Sequence, residues 1–375
     1  MRKSLLVIPA LAVVTTLALA REDREADPVT LRQQANGVAE WLDSGVHTGQ
    51  FSTGTSLFDQ EWVFGTAQMA ALGFGQVASV DPGRRDEHLA RMEAAIDAML
   101  SDAGRAFDAG KWKEDPLASL DGGRGHAAYL GYTNLALSLH RSLVADSRYG
   151  TLNDALSDAI AARVLREKHG VFETYPGERY PVDTAAGVAS IVLHDRVTGR
   201  DHAAALDHWR AAFHTSQRAG DNGLLYQSTR ADGRPSMPER GSGTFLTAWF
   251  LSFGDPELGC DLYARGRDTL FSTVGPVVGM REYAPGTVGR ADIDSGPIAM
   301  GLGVSATGFG LGAARACGDT ETAEALTRTA EWFGAADVEG DVLHWRSGTA
   351  LGGAPVADAI MFAMMSTPGR SVPGR

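Results

Sequence analysis

One pattern constrains this sequence more than any other. An apolar stretch rich in small residues meets a tight polar turn, an amphipathic stretch runs back, and a long loop leads to the next pair. The unit recurs at about 60 residues, longer than common open helical repeats. The first pair runs from about Asp59 to Met99 and turns at Asp81-Pro82-Gly83. The second starts near His126 and returns through Leu152, Leu156, Ile160 and Val164. The third starts at Asp183 and turns at Thr198-Gly199-Arg200. The fourth starts near Thr244 and turns at Gly254-Asp255-Pro256. The fifth starts after Asp294-Ser295-Gly296-Pro297 and turns at Gly318-Asp319. A last apolar helix, near Pro355 to Met365, has no return partner, and the amphipathic Val29–Leu42 has no inner one. Pairing these two gives six hairpins and closes a ring. The expected fold is all-α, with inner helices apolar on most sides and outer helices amphipathic. Gly301, Gly303, Gly308, Gly310 and Gly312 read as close packing within the fifth inner helix, which offsets their low helix propensity.

The leading residues predict export. Arg2 and Lys3 precede an uncharged, mostly apolar run from Leu5, and Ala18-Leu19-Ala20 fits a cleavage site. Residues 1–20 are read as a signal peptide and 21–375 as one domain, periplasmic or extracellular, or membrane-anchored if the leader is retained. Without the leader, no stable membrane insertion is expected. The chain has 34 basic and 46 acidic residues, a net charge of −12, which suits neither nucleic acid nor anionic lipid. An oxidising compartment permits its two cysteines, Cys260 and Cys317, to pair.

Six long loops emerge where inner helices begin, where unpaired backbone N–H groups and helix dipoles converge. Such loops on a rigid scaffold carry function. One of them, Leu224–Pro238, reads as a β-hairpin turning at Asp232-Gly233. Candidate catalytic acids on this rim are Glu61, Glu178, Asp183, Glu282 and Asp294. Candidate substrate contacts are His126, Tyr129, Tyr175, Tyr180, Tyr283 and Trp345. An Asp at a helix start also serves as an N-cap, and Asp294 before Ser295-Gly296-Pro297 suits that role. The Gly301-Leu-Gly303 run has no preceding strand and is no dinucleotide fingerprint. His202, His208 and His214 do not share a helical face, and no metal or cofactor is expected.

The segment Tyr175-Pro-Gly-Glu-Arg-Tyr-Pro-Val-Asp-Thr, then Ala-Ala-Gly-Val-Ala-Ser-Ile-Val-Leu-His-Asp and a Thr-Gly turn, resembles the linalool dehydratase/isomerase family. The resemblance implies the six-hairpin (α/α)6 toroid shared with many glycosidases. That family carries a Cys-Glu-Pro to Phe-x-x-Cys-Asn stretch at the mouth of a comparable helix. Here Tyr175 to Asp183 lacks both cysteines, so no thiol role carries over. Three readings stay open. One is carboxylate acid/base hydrolysis of a carbohydrate, with Asp183 and Asp294 leading. The second is a hydro-lyase or isomerase acting on a small alcohol, with Glu178, Asp183, His126 and Tyr129 in play. The third is a non-catalytic envelope binding or scaffold protein.

Overall fold

The short turns of this chain are set by aspartates. Asp81 accepts backbone hydrogen bonds from Gly83 and Arg84 at 3.1 and 3.3 Å. Asp255 caps the helix behind it through Leu258 N at 3.2 Å, with Pro256 in the first turn. Asp319 caps the next through Thr322 N at 3.1 Å. Asp81 holds the turn itself, whereas Asp255 and Asp319 satisfy backbone donors that a helix start leaves unpaired.

The computed structural model describes residues 28–350 and 353–369. The expected leader lies outside them. In chain order the helices are α1 (Pro28–Ser44), α2 (Ser56–Val80), α3 (Arg85–Leu100), α4 (Asp102–Trp112), α5 (Ala127–Leu143), α6 (Gly150–Arg166), α7 (Pro181–Thr198), α8 (Ala203–Ser216), α9 (Gly241–Gly254), α10 (Pro256–Leu270), α11 (Val304–Ala316), α12 (Thr320–Gly334), α13 (Arg346–Ala350) and α14 (Ala354–Met365). Four two-stranded antiparallel hairpins lie in the loops: β1 (Tyr226–Thr229) with β2 (Pro235–Glu239), β3 (Phe271–Val274) with β4 (Val277–Met280), β5 (Ile298–Ala299) with β6 (Leu302–Gly303), and β7 (Ala336–Glu339) with β8 (Val342–Trp345).

The inner helices touch in the order α2, α5, α7, α9, α11, α14 and back to α2, which closes the ring. Outside them α3, α6, α8, α10 and α12 pack on their partners, and α1 packs on α14. This is the (α/α)6 toroid. Its closure is polar as well as apolar. Asp358 of α14 accepts from Trp41 Nε1 of α1 at 2.7 Å and from Trp345 N at 2.8 Å, and its other neighbour is His344 Nδ1 at 2.6 Å. Small residues let inner helices approach. A Cβ at Gly131 would meet backbone of Asp183 and Gly187 at 2.8 and 3.0 Å. The short-turn end of the ring is filled by Phe74, Phe362 and Trp249, with Trp249 Nε1 donating to Thr367 Oγ1 at 2.8 Å.

Three features differ from the sequence reading. The fifth inner helix begins at Val304, because β5 and β6 stand between it and Pro297. Gly301, at φ +86°, makes their turn, and Gly303 precedes the helix as its N-cap; neither packs inside it. The loop after α3 contains α4, too short for the hairpin pattern to reveal. The loops after α10 and α12 also hold hairpins, turning at Gly275 and Gly340, both left-handed. Among the described residues no helix is long and apolar enough to cross a membrane.

Cys260 of α10 and Cys317 at the end of α11 form a disulfide, Cα atoms 5.5 Å apart, joining neighbouring hairpins at the short-turn rim. It closes a loop with a sequence separation of 57. Replacing both cysteines by serine is expected to cost about 2–4 kcal/mol. Denaturant melts of the oxidised wild type and the double variant measure it, and equal midpoints refute it.

Candidate active site

A cavity of about 1160 Å³ occupies the long-loop end of the ring. It is walled by the first turns of five inner helices, by Tyr132 from the second turn of α5, by one face of α12 and by the long loops. Its floor is Tyr132, whose ring lies 5.2 Å from Phe250. One side is apolar, formed by Phe309, Leu311, Val356, Ile360 and Met361. The acids Glu61, Asp183, Glu178 and Asp294 also line it.

Asp183 stands in the first turn of α7 but caps nothing. Tyr132 Oη donates to its Oδ1 and Thr174 Oγ1 to its Oδ2, both at 2.5 Å. Burial lifts this carboxyl to about 6, against the pull of those two hydrogen bonds. Glu61, one turn into α2, accepts from Tyr175 Oη at 2.9 Å. Burial, then the negative charge of Asp294, pushes Glu61 up to about 8. Lys111, at the end of α4, lines the cavity with its Nζ 5.1 Å from the Tyr175 ring centre, and opposes that rise. Asp294 sits at the cavity edge. The residue has exposed surface, and desolvation by the protein around it, followed by the charge of Asp292, raises its carboxyl to about 6. Its recorded side-chain hydrogen bond is a long one, from Gln227 Nε2 at 3.3 Å. Glu178 accepts from Tyr180 Oη at 2.9 Å. Glu61 is thus raised further than Asp183 and Asp294, and pKa values pushed apart in one site give the division of labour that acid/base catalysis requires.

Of the aromatic candidates, Tyr175, Tyr180 and Trp345 line the cavity. The other candidates are placed elsewhere. Glu282 is fully buried behind the wall, where it accepts from Arg240 Nε at 2.9 Å and Ser242 Oγ at 2.6 Å. His126, in a left-handed N-cap conformation, is buried between Asp108 (Nδ1 to Oδ2, 2.5 Å) and Glu114 (Nε2 to Oε1, 3.0 Å), outside the lining. It fixes the loop between α4 and α5. Tyr129 is fully buried beside Phe64 and donates to Met99 O at 3.3 Å. Tyr283 donates to Arg290 O at 2.9 Å within its own loop. Asp294 is no helix cap, since α11 starts ten residues later.

Tyr132, Thr174, Lys111 and Gln227 are cavity residues that sequence reasoning missed. Tyr132 follows Tyr129 by three positions, about 60° around a helix, and only the ring geometry decides which one faces the centre.

Residues 135–350 match the family model of the linalool dehydratase/isomerase proteins, more than half of the chain. The chain belongs to the linalool dehydratase/isomerase family. Among curated proteins none matches. Solved structures similar in fold include a GH76 α-mannanase of Bacteroides thetaiotaomicron (TM-score 0.51, 9% identity, covering 88% of this chain and 94% of that one). Others are a heparin-specific unsaturated glucuronyl hydrolase (0.51, 9%, 89% and 95%) and the cellobiose 2-epimerase of Spirochaeta thermophila (0.50, 15%, 92% and 99%). At these identities the likeness is one of fold alone.

Folding stability should carry the mark of Glu61. In the folded chain it keeps its proton up to about pH 8, whereas the ordinary value is 4.5. The folded state therefore binds more protons across that window, and stability falls as pH rises through it. Asp183 adds to the same slope between its ordinary value of 3.8 and about 6. The midpoint of thermal unfolding is expected to drop from pH 5 to pH 8.5, and Glu61→Gln to remove much of the drop. An identical slope in the variant contradicts the assignment.

Proposed function

We propose that this family member is an acid–base enzyme that dehydrates, or shifts the hydroxyl of, a small and largely apolar alcohol. The observation that carries the reading is the placement of Glu61, hydrogen-bonded to Tyr175 Oη, in a cavity that also has an apolar wall, where burial favours its protonated form. Glu61 gives its proton to the substrate hydroxyl, and the C–O bond breaks with water leaving. Asp294, whose oxygens are little engaged, takes a proton from the adjacent carbon, and the electron pair of that C–H bond becomes the alkene. The reverse addition of water at another carbon yields an isomeric alcohol. Asp183, with both oxygens held by protein donors, acts as a fixed negative charge beside the cationic transition state. No thiol takes part, because both cysteines are joined at the opposite rim.

The carbohydrate reading draws on the same carboxylates. The apolar wall offers few partners to a polyhydroxylated ring, which favours the alcohol. The test is incubation of the purified chain with linalool and, separately, with chromogenic glycosides, with products followed by gas chromatography and absorbance. Hydrocarbon or isomeric alcohol supports the proposal; turnover of glycosides alone overturns it. The disulfide supports export. We propose a periplasmic or extracellular mature chain beginning at Arg21, which N-terminal sequencing checks.

A further inference from the structure

The short-turn rim carries a second cluster that the cavity does not use. His194 is fully buried near the end of α7, Asp195 follows it, and His202 is the N-cap of α8. The turn between them passes through Gly199, at φ +72°, and folds His202 back over the helix end. His194 Nδ1 lies 3.1 Å from Asp195 Oδ1, and His202 Nδ1 lies 2.6 Å from the same oxygen. The far nitrogens are engaged in the same way. His194 Nε2 is 2.9 Å from Asp154 Oδ1, and His202 Nε2 is 3.0 Å from Asp158 Oδ1. Asp154 and Asp158 stand one turn apart on α6.

A neutral imidazole has one ring proton. Placed on Nε2, it is donated to Asp154 or Asp158. Both Nδ1 lone pairs then converge on Asp195 Oδ1, which is itself an acceptor. Two lone pairs and a carboxylate oxygen meeting at one place are satisfied either by extra ring protons or by one metal cation. Carboxylates behind the imidazoles are the usual means of fixing the tautomer and orientation of metal-binding histidines. We infer that His194, His202 and Asp195 bind one divalent transition-metal ion of the zinc class, with Asp154 and Asp158 as positioning residues. Imidazole nitrogens favour zinc over magnesium or calcium. One ligand atom from each of the three residues lies within 4.8 Å of the others. Small side-chain rotations bring them to the spacing of about 3.3 Å that tetrahedral ligands at about 2.0 Å require.

Charge and access agree. Arg141 pairs with Asp154 and Arg200 with Asp158, so two guanidiniums face three carboxylates and one negative charge is left over. Asp195 and His202 are partly exposed, which provides an entry path and room for water as the fourth ligand. The ion would tie the end of α7 to the start of α8, braced by Asp154 and Asp158 of α6, on the rim opposite the cavity.

The full-length mature chain, stripped with EDTA, is titrated with Zn²⁺ alone by calorimetry near neutral pH. One equivalent is expected to bind saturably, and Co²⁺ to give visible d–d bands. Asp195→Asn with His202→Gln should weaken binding by more than about 100-fold, and the outer Asp158→Asn by about 10–100-fold. Asp158 is well exposed, so its variant folds and keeps the test informative if the double variant does not. Absence of saturable binding by the folded wild type overturns the site, since the cluster is then held by ring protons alone. Binding unchanged in Asp158→Asn also overturns it.

Discussion

Glu61→Gln is expected to lower kcat on the alcohol by about 10³-fold while leaving the fold intact, since a positioned general acid supplies about 10²–10⁴-fold. Glutamine matches the protonated carboxyl in shape and can still accept from Tyr175 Oη, so the hydrogen bond that positions residue 61 survives. What disappears is the transferable proton. The pH profile makes the test sharper. Glu61 must be protonated and Asp294 ionised, so kcat/KM should form a bell with limbs near 6 and 8. Asp294→Asn should cost at least about 10²-fold and remove the acid limb. Steady-state rates and melting curves of both variants are the measurements. A Glu61→Gln enzyme with wild-type turnover would dismiss Glu61 as the acid.

Arg240→Met is expected to destabilise the protein by about 3–5 kcal/mol, the usual result of stripping one partner from a buried ion pair. The Glu282 carboxylate has no exposed surface and takes the Arg240 Nε–H at 2.9 Å. Arg240 also clamps Asp292 with both terminal nitrogens, at 2.6 and 2.8 Å. Methionine fills similar volume but leaves the buried Glu282 without its counter-charge and frees the loop that carries Asp294. Replacing Glu282 by methionine as well should restore part of the loss, because no lone charge then remains. Urea melts of the single and double variants decide it. A single variant as stable as wild type would mean that water reaches Glu282.

The ring was legible in the sequence because burial leaves a trace in composition. The difference between all-round apolar inner helices and one-sided outer helices survives without any tertiary information, and the unmatched Val29–Leu42 and Pro355–Met365 supplied the closure. The site was legible only at the level of its rim. Glu61, Asp183, Glu178 and Asp294 do meet in one cavity. Glu282 and His126 carry the same residue chemistry at similar points of the repeat, yet both turn into the protein toward Arg240 and Asp108. Rotation about a helix or along a loop decides between these outcomes, and periodicity does not fix it to better than one face. The β5–β6 hairpin escaped notice for another reason. Its glycines continue the small-residue pattern of the helix behind it, so a turn glycine and a packing glycine look alike until φ is known.

Closure by the two chain ends also sets a schedule. Trp41 waits for Asp358, more than 300 positions further along, before its indole N–H finds a partner. Contacts of such sequence separation form slowly, since a long loop must close first. A ribosome that has released only the first five hairpins presents a broken circle, with α1 and the open flank of α2 lacking their last neighbour. The final dozen helical residues therefore act as a keystone, and truncations there should leave an open arc prone to aggregation.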